Sequence, residues 1–122
     1  MINFKELKIW QKGMEIATKS LEFIATFPKE QRFGLAVQIS KSAISIASNI
    51  AEGSGRQTYR DFNRFIRIAL GSAFELETQL IISQRVNYGN PQLLLEILSL
   101  LNEEQKMLFS FGKSLLAKTT TQ

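Results

Sequence analysis

Residues 35–55 read LAVQISKSAISIASNIAEGSG. Apolar side chains recur there at three- and four-residue steps, through Leu35, Ile39, Ala43, Ile46, Ala47 and Ile50, and the run stops at Gly53-Ser54-Gly55. That period is helical rather than the alternation of a strand, and a glycine cluster is a helix stop. Placed at 100° per residue, Leu35, Ala36, Val37, Ile39, Ala43, Ile44, Ile46, Ala47, Ile50 and Ala51 sweep roughly 200°, against the roughly 100° that a helix needs to face one core. This helix is therefore expected to carry more apolar surface than one bundle needs, which favours association between subunits.

Three further segments have the same period. The first is expected over about 5–26, with Asn3 as N-cap and Phe27-Pro28 as its end. Leu7, Trp10, Met14, Ala17, Leu21 and Ile24 form its main apolar face. The second is the quoted segment, a helix over about 35–52. The third covers about 59–86, where Thr58 and Asp61 approximate a capping box. The fourth covers about 91–116, with Asn90 as N-cap and Pro91 in the first helical position, and the tail from Thr119 to Gln122 is expected to fray. Four helices joined by short loops imply an all-α, antiparallel up-and-down four-helix bundle occupying the whole chain, 1–122, as one domain.

Composition narrows the chemistry. The chain has neither cysteine nor histidine, so disulfides, thiolate zinc sites and the commonest general base are absent. No Glu-x-x-His pair, phosphate-binding loop or nucleophile elbow occurs. Glu75 and Glu77 are two apart and diverge on a helix, and Glu103-Glu104-Gln105-Lys106 reads as a polar patch. We therefore expect no catalytic residues, metal or cofactor, and a protein that is not an enzyme. No apolar leader or membrane-length apolar run is present, which points to the cytoplasm.

Two features remain for binding. Arg56, Arg60, Arg64 and Arg67 follow at steps of four, four and three, forming a ridge from the loop onto the third helix, with Asp61 expected to point elsewhere. Arginine forks match phosphate geometry, so the ridge is a candidate nucleic-acid contact, consistent with a net charge of +4. Ordered apolar stripes beyond the core faces, Ile9, Ile16 and Phe23 on the first helix and Phe74 and Ile82 on the third, are candidates for contact between subunits. The polar face of the second helix, Gln38, Lys41, Ser42, Ser45, Ser48, Asn49 and Glu52, has few charges. A groove, a channel, a polar subunit contact or a serine-rich exposed face would each fit it. Gly71-Ser72-Ala73, inside the third helix, is expected to pack against Ala43, Ala47 and Ala51.

The run from Ser45 to Gly53, with Gly55-Arg56, resembles the signature of the four-helix-bundle family of 23S rRNA intervening-sequence proteins. The likeness extends through Phe65, Ile68 to Ala73 and Glu75 to Leu80, and includes Phe4, Leu7, Ile9, Trp10 and Gln11 near the start. Its motif positions are Ser48, Asn49, Glu52, Gly53, Gly55, Gly71, Glu75 and Glu77. The resemblance implies a bundle that assembles into a ring, typically a homopentamer. It also implies partners: RNA or DNA, or a reverse transcriptase in the related accessory proteins of diversity-generating retroelements. With the ridge it makes Lys41, Arg56, Arg60, Arg64 and Arg67 the expected nucleic-acid contacts. Two departures are Ala47, where the family often has proline, and Ser40-Lys41, where it often has two basic residues. A homo-oligomeric scaffold with no nucleic-acid role is the competing reading.

Overall fold

The computed structural model of the chain describes residues 2–31 and 33–119. Four helices form the bundle: α1 (Lys8–Ile24), α2 (Leu35–Ser54), α3 (Tyr59–Arg85) and α4 (Pro91–Thr119). No strand occurs among the described residues. Each helix packs on two neighbours, α1 on α2, α2 on α3, α3 on α4 and α4 back on α1. This is the up-and-down order that short connections impose.

Local chemistry sets the helix ends. Asn3 accepts from Lys5 N–H and caps a short 3-10 turn (Phe4–Glu6), so α1 starts later than its apolar spacing suggested. Thr58 Oγ1 accepts from Asp61 N–H and caps α3. Asn90 Oδ1 accepts from Gln92 and Leu93 N–H at 2.8 and 3.1 Å and caps α4. α2 continues through Gly53 to Ser54 before Gly55 ends it. Thr119, expected to fray, closes α4; the rest of that tail lies outside the described residues.

The core runs the length of the bundle, with Ile16 and Phe23 of α1, Ile39, Ile46 and Ile50 of α2, Ile66, Leu76 and Leu80 of α3, and Ile97, Leu101, Leu108 and Leu115 of α4 all fully buried. At one end Phe23, Phe27 and Tyr88 stack edge-to-face with centroids 5.2 and 5.6 Å apart. These ring pairs lock the loop after α1 against the α3–α4 turn.

Here the structure corrects the reading of α1. Ile9, Ile16 and Phe23, expected between subunits, are core residues, while Met14 and Leu21 of the supposed core face are 42 and 46% exposed. The inward face alternates large and small side chains, Ile9, Gly13, Ile16, Ala17, Ser20 and Phe23, which lets neighbouring helices approach closely. Phe74 and Ile82 do face outward. Gly71 is also corrected: a Cβ there would meet nothing within 4 Å, and the residue is exposed. The close approach between α2 and α3 falls at Gly53 instead, where a Cβ would stand 2.7 Å from Phe65 Cβ and 2.9 Å from Phe62 Cδ1.

Candidate nucleic-acid interface

α2 and α3 meet at a tight corner around Gly55–Thr58, and the arginines cluster on it. Arg56 Nη2 donates to Glu52 Oε1 at 3.1 Å, and its Nε lies 3.8 Å from Asp61 Oδ2. Arg64 Nε donates to Asp61 Oδ1 at 3.0 Å. Asp61 therefore does not point away from the ridge, as its sequence position suggested, but bridges two of its members. The Phe65 ring serves the same pair, with the Arg56 and Arg64 guanidinium carbons 4.5 and 4.6 Å from its centroid. Phe65 is buried, so these contacts fix two long side chains against a rigid platform.

Arg60 and Arg67 differ from that pair. Both are exposed, and neither has an ion pair within 4.0 Å among the described residues. With Arg64 they line a shallow groove of about 550 Å³ whose other walls are Asn63, Ile68 and Leu116. The ridge thus has two braced cations and two available ones.

The structure adds two lysines that the linear reading missed. Lys113 of α4 shares a neighbouring groove with Arg67, and Lys118 Nζ sits 5.3 Å from the Tyr59 ring centroid at the start of α3. The available signal was the antiparallel register, which sets the last turns of α4 beside the first turns of α3. Lys41, by contrast, is not part of the cluster. The contacts Ser42–Glu75 and Ser45–Ser72 set Arg67 level with Ile50. Lys41 is nine residues from that level, about 13 Å along the axis at 1.5 Å per residue.

The positions of the sequence signature turn out to be largely structural. Ser42 Oγ donates to Glu75 Oε1 at 2.8 Å, the Ser45 and Ser72 hydroxyls lie 2.8 Å apart, and Asn49 Nδ2 donates to Ser45 O and Oγ. Much of the low-charge face of α2 is therefore an intramolecular seam with α3. Glu77 Oε1 accepts from Gln105 Nε2 across α3 and α4. Glu52 holds Arg56, Gly53 allows the helices to close, and Gly55 caps α2. Ser48 is exposed in the α1–α2 groove with Trp10, Met14, Leu21 and Ile44.

Among the described residues no group of three or more acidic side chains could hold a metal ion. No helix of the described chain is long and apolar enough to cross a membrane.

Residues 5–110 match the family described as 23S rRNA-intervening sequence protein. The chain belongs to that family. A crystal structure from Bacteroides thetaiotaomicron VPI-5482, described as a protein with unknown function from the S23 ribosomal protein family, superposes with a TM-score of 0.79. The two sequences are 30% identical over 86% of this chain and 95% of that one. No curated protein matches the sequence. The 23S rRNA-intervening sequence family accounts for the bundle and for the α2–α3 signature. Neither description names a reaction.

Proposed function

We propose that this protein is a non-enzymatic, self-associating bundle that binds the phosphate backbone of RNA or DNA through the α2–α3 corner. The observation that carries the reading is the division of the arginine ridge. Arg56 and Arg64 are braced by Phe65 and Asp61, and Arg60 and Arg67 stand beside them with no ion pair among the described residues. Among the described residues the corner and the end of α4 gather Arg56, Arg60, Arg64, Arg67 and Lys113, with Glu52 and Asp61 as the carboxylates of the corner. Preorganised guanidinium groups suit phosphate oxygens.

Self-association is supported by apolar surface that the bundle leaves uncovered. Met14, Leu21 and Ile44 form a strip between α1 and α2, and Phe74 and Ile82 face outward on α3. Light scattering at tens of micromolar, roughly the range in which a stable interface survives, is expected to give five chains per particle. A monomer would remove this half of the reading.

Binding is tested by titrating the protein against structured RNA and duplex DNA over a range of salt. Arg60→Ala with Arg67→Ala should weaken binding and lower the salt slope by about two units at most, with folding unchanged. If the wild type shows no salt-sensitive binding at low ionic strength, the scaffold reading replaces this one. That alternative rests on the same apolar strips.

A further inference from the structure

The polar groups along the seam between α1 and α4 fall into two sets. On the outside, Lys12 Nζ donates to Glu103 Oε2 at 2.8 Å and Lys19 Nζ donates to Glu96 Oε2 at 3.2 Å. Both carboxylates are more than half exposed, so water competes with both pairs. On the inside, Glu104 is fully buried and neither of its carboxyl oxygens has a hydrogen-bond partner among the described residues. Its carboxyl fills room that two small residues leave: a Cβ on Gly13 would stand 3.2 Å from Glu104 Oε2 and 3.4 Å from Ala47 Cβ. Glu104 therefore occupies the junction of α1, α2 and α4.

The surroundings offer little to an anion. From α1, Lys12 is the one cation whose field favours the ionised form, and it is engaged by Glu103. Glu15 lies near Lys12 on the same helix. On α4, Glu103 and Lys106 flank the residue in sequence and are exposed. α2 presents Ala47 and carries its charges, Lys41 and Glu52, on exposed positions. α3 contributes Glu75 and Glu77, bonded to Ser42 and Gln105. A carboxylate with no donor in such a place is costly, whereas the neutral acid packs as an uncharged side chain.

We propose that Glu104 is a proton-operated latch on the α1–α4 seam: protonated, it closes the junction, and ionised, it draws water in and loosens α1 from α4. The O–H bond of the acid breaks, the proton passes to solvent, and the charge left behind has no donor within the closed core. Burial pushes the Glu104 pKa up to about 8, with Lys12 pulling the other way. A groove of about 470 Å³ already opens on this seam, between Leu7, just before α1, and Ile9 on one side and Met107 and Phe111 of α4 on the other. Its near wall, Met107, is one turn from Glu104.

The chain provides its own reporter, because its single tryptophan, Trp10, lies on α1 one turn before Gly13. Carbon-13 titration of the glutamate carboxyls between pH 5 and 9 should find one group with a midpoint near 8. Trp10 fluorescence should change with that midpoint in the wild type and stay flat in Glu104→Gln. Lys12→Met should move the midpoint upward. The proposal is overturned if every glutamate titrates below about pH 6, a range set by ordinary and mildly raised carboxyls. It is equally overturned if the Trp10 signal is flat in the wild type or persists in Glu104→Gln. Should the glutamine variant fail to fold, the wild-type carbon-13 and fluorescence midpoints decide: coincidence supports the latch, and divergence removes it.

Discussion

The α2–α3 seam and the α1–α4 seam both bury polar groups, but they do so in opposite ways. Between α2 and α3 Ser42 meets Glu75 and Ser45 meets Ser72, Gln79 Oε1 of α3 is the buried atom without a partner among the described residues, and Gly53 lets the backbones close on Phe62 and Phe65. Between α1 and α4 the pairs lie on the rim, while Glu104 is buried with no hydrogen-bond partner among the described residues. A buried group that has its partner fixes register at little cost, and a titratable one that lacks a partner, as Glu104 does, makes stability depend on its protonation. One bundle thus contains a rigid seam and a conditional one.

The largest effect that tests this contrast is on pH. The folded Glu104 carboxyl holds its proton up to about pH 8, against an ordinary value of 4.5. Between those values the unfolded chain binds fewer protons, so stability falls as pH rises. The contribution is complete below the ordinary value and lost as pH passes the folded one. Thermal or denaturant unfolding from pH 5 to 8 should show a loss on the order of 3 kcal/mol, which Glu104→Gln should abolish. Equal slopes in both proteins would mean that the two seams do not differ in this respect.

Overpacking the rigid seam comes next. Gly53→Leu must displace Phe62 and Phe65 and should cost about 3 kcal/mol, read as a shift in the denaturant midpoint. A variant as stable as the wild type would place the close approach elsewhere. Smaller still is the paired hydroxyl contact. A double-mutant cycle on Ser45→Ala and Ser72→Ala should return a coupling of about 1 kcal/mol. Zero coupling would show that the seam is held by packing alone. The smallest effect has the opposite sign. Gly71→Ala, on the outer face of α3, should raise stability by up to about 1 kcal/mol because the helix interior gains a better former. Destabilisation would mean that something packs on Gly71.

Much of this molecule is legible in its sequence. The caps at Thr58 and Asn90, the stop at Gly53-Ser54-Gly55 and the apolar period identify four helices, because these signals are local. The rotation of α1 is not local. It carries two apolar stripes of similar strength, and the choice of Ile9, Ile16 and Phe23 over Met14 and Leu21 is made by the neighbours it packs on. Two errors had readable corrections. Glu104 follows Leu101 by three residues and precedes Leu108 by four, which places it on the core stripe despite its polar neighbours Glu103 and Gln105. Gly71 follows Arg64 by seven and so shares its outward side. At the site, the arginine spacing is plain, but the bracing by Phe65 and Asp61 and the arrival of Lys113 and Lys118 depend on folded geometry.

The two seams also differ in how much chain separates their partners, and this orders events in time. Ser42–Glu75 and Ser45–Ser72 span 33 and 27 residues, whereas Lys12–Glu103 and Lys19–Glu96 span 91 and 77. Closing the shorter loops costs less entropy, so the α2–α3 hairpin is expected to form early and α1 to dock on α4 late. Changes at the hairpin corner should then act mainly on the folding rate, and changes at Glu104 mainly on the unfolding rate. The arginine corner would be assembled while the far side of the bundle is still open.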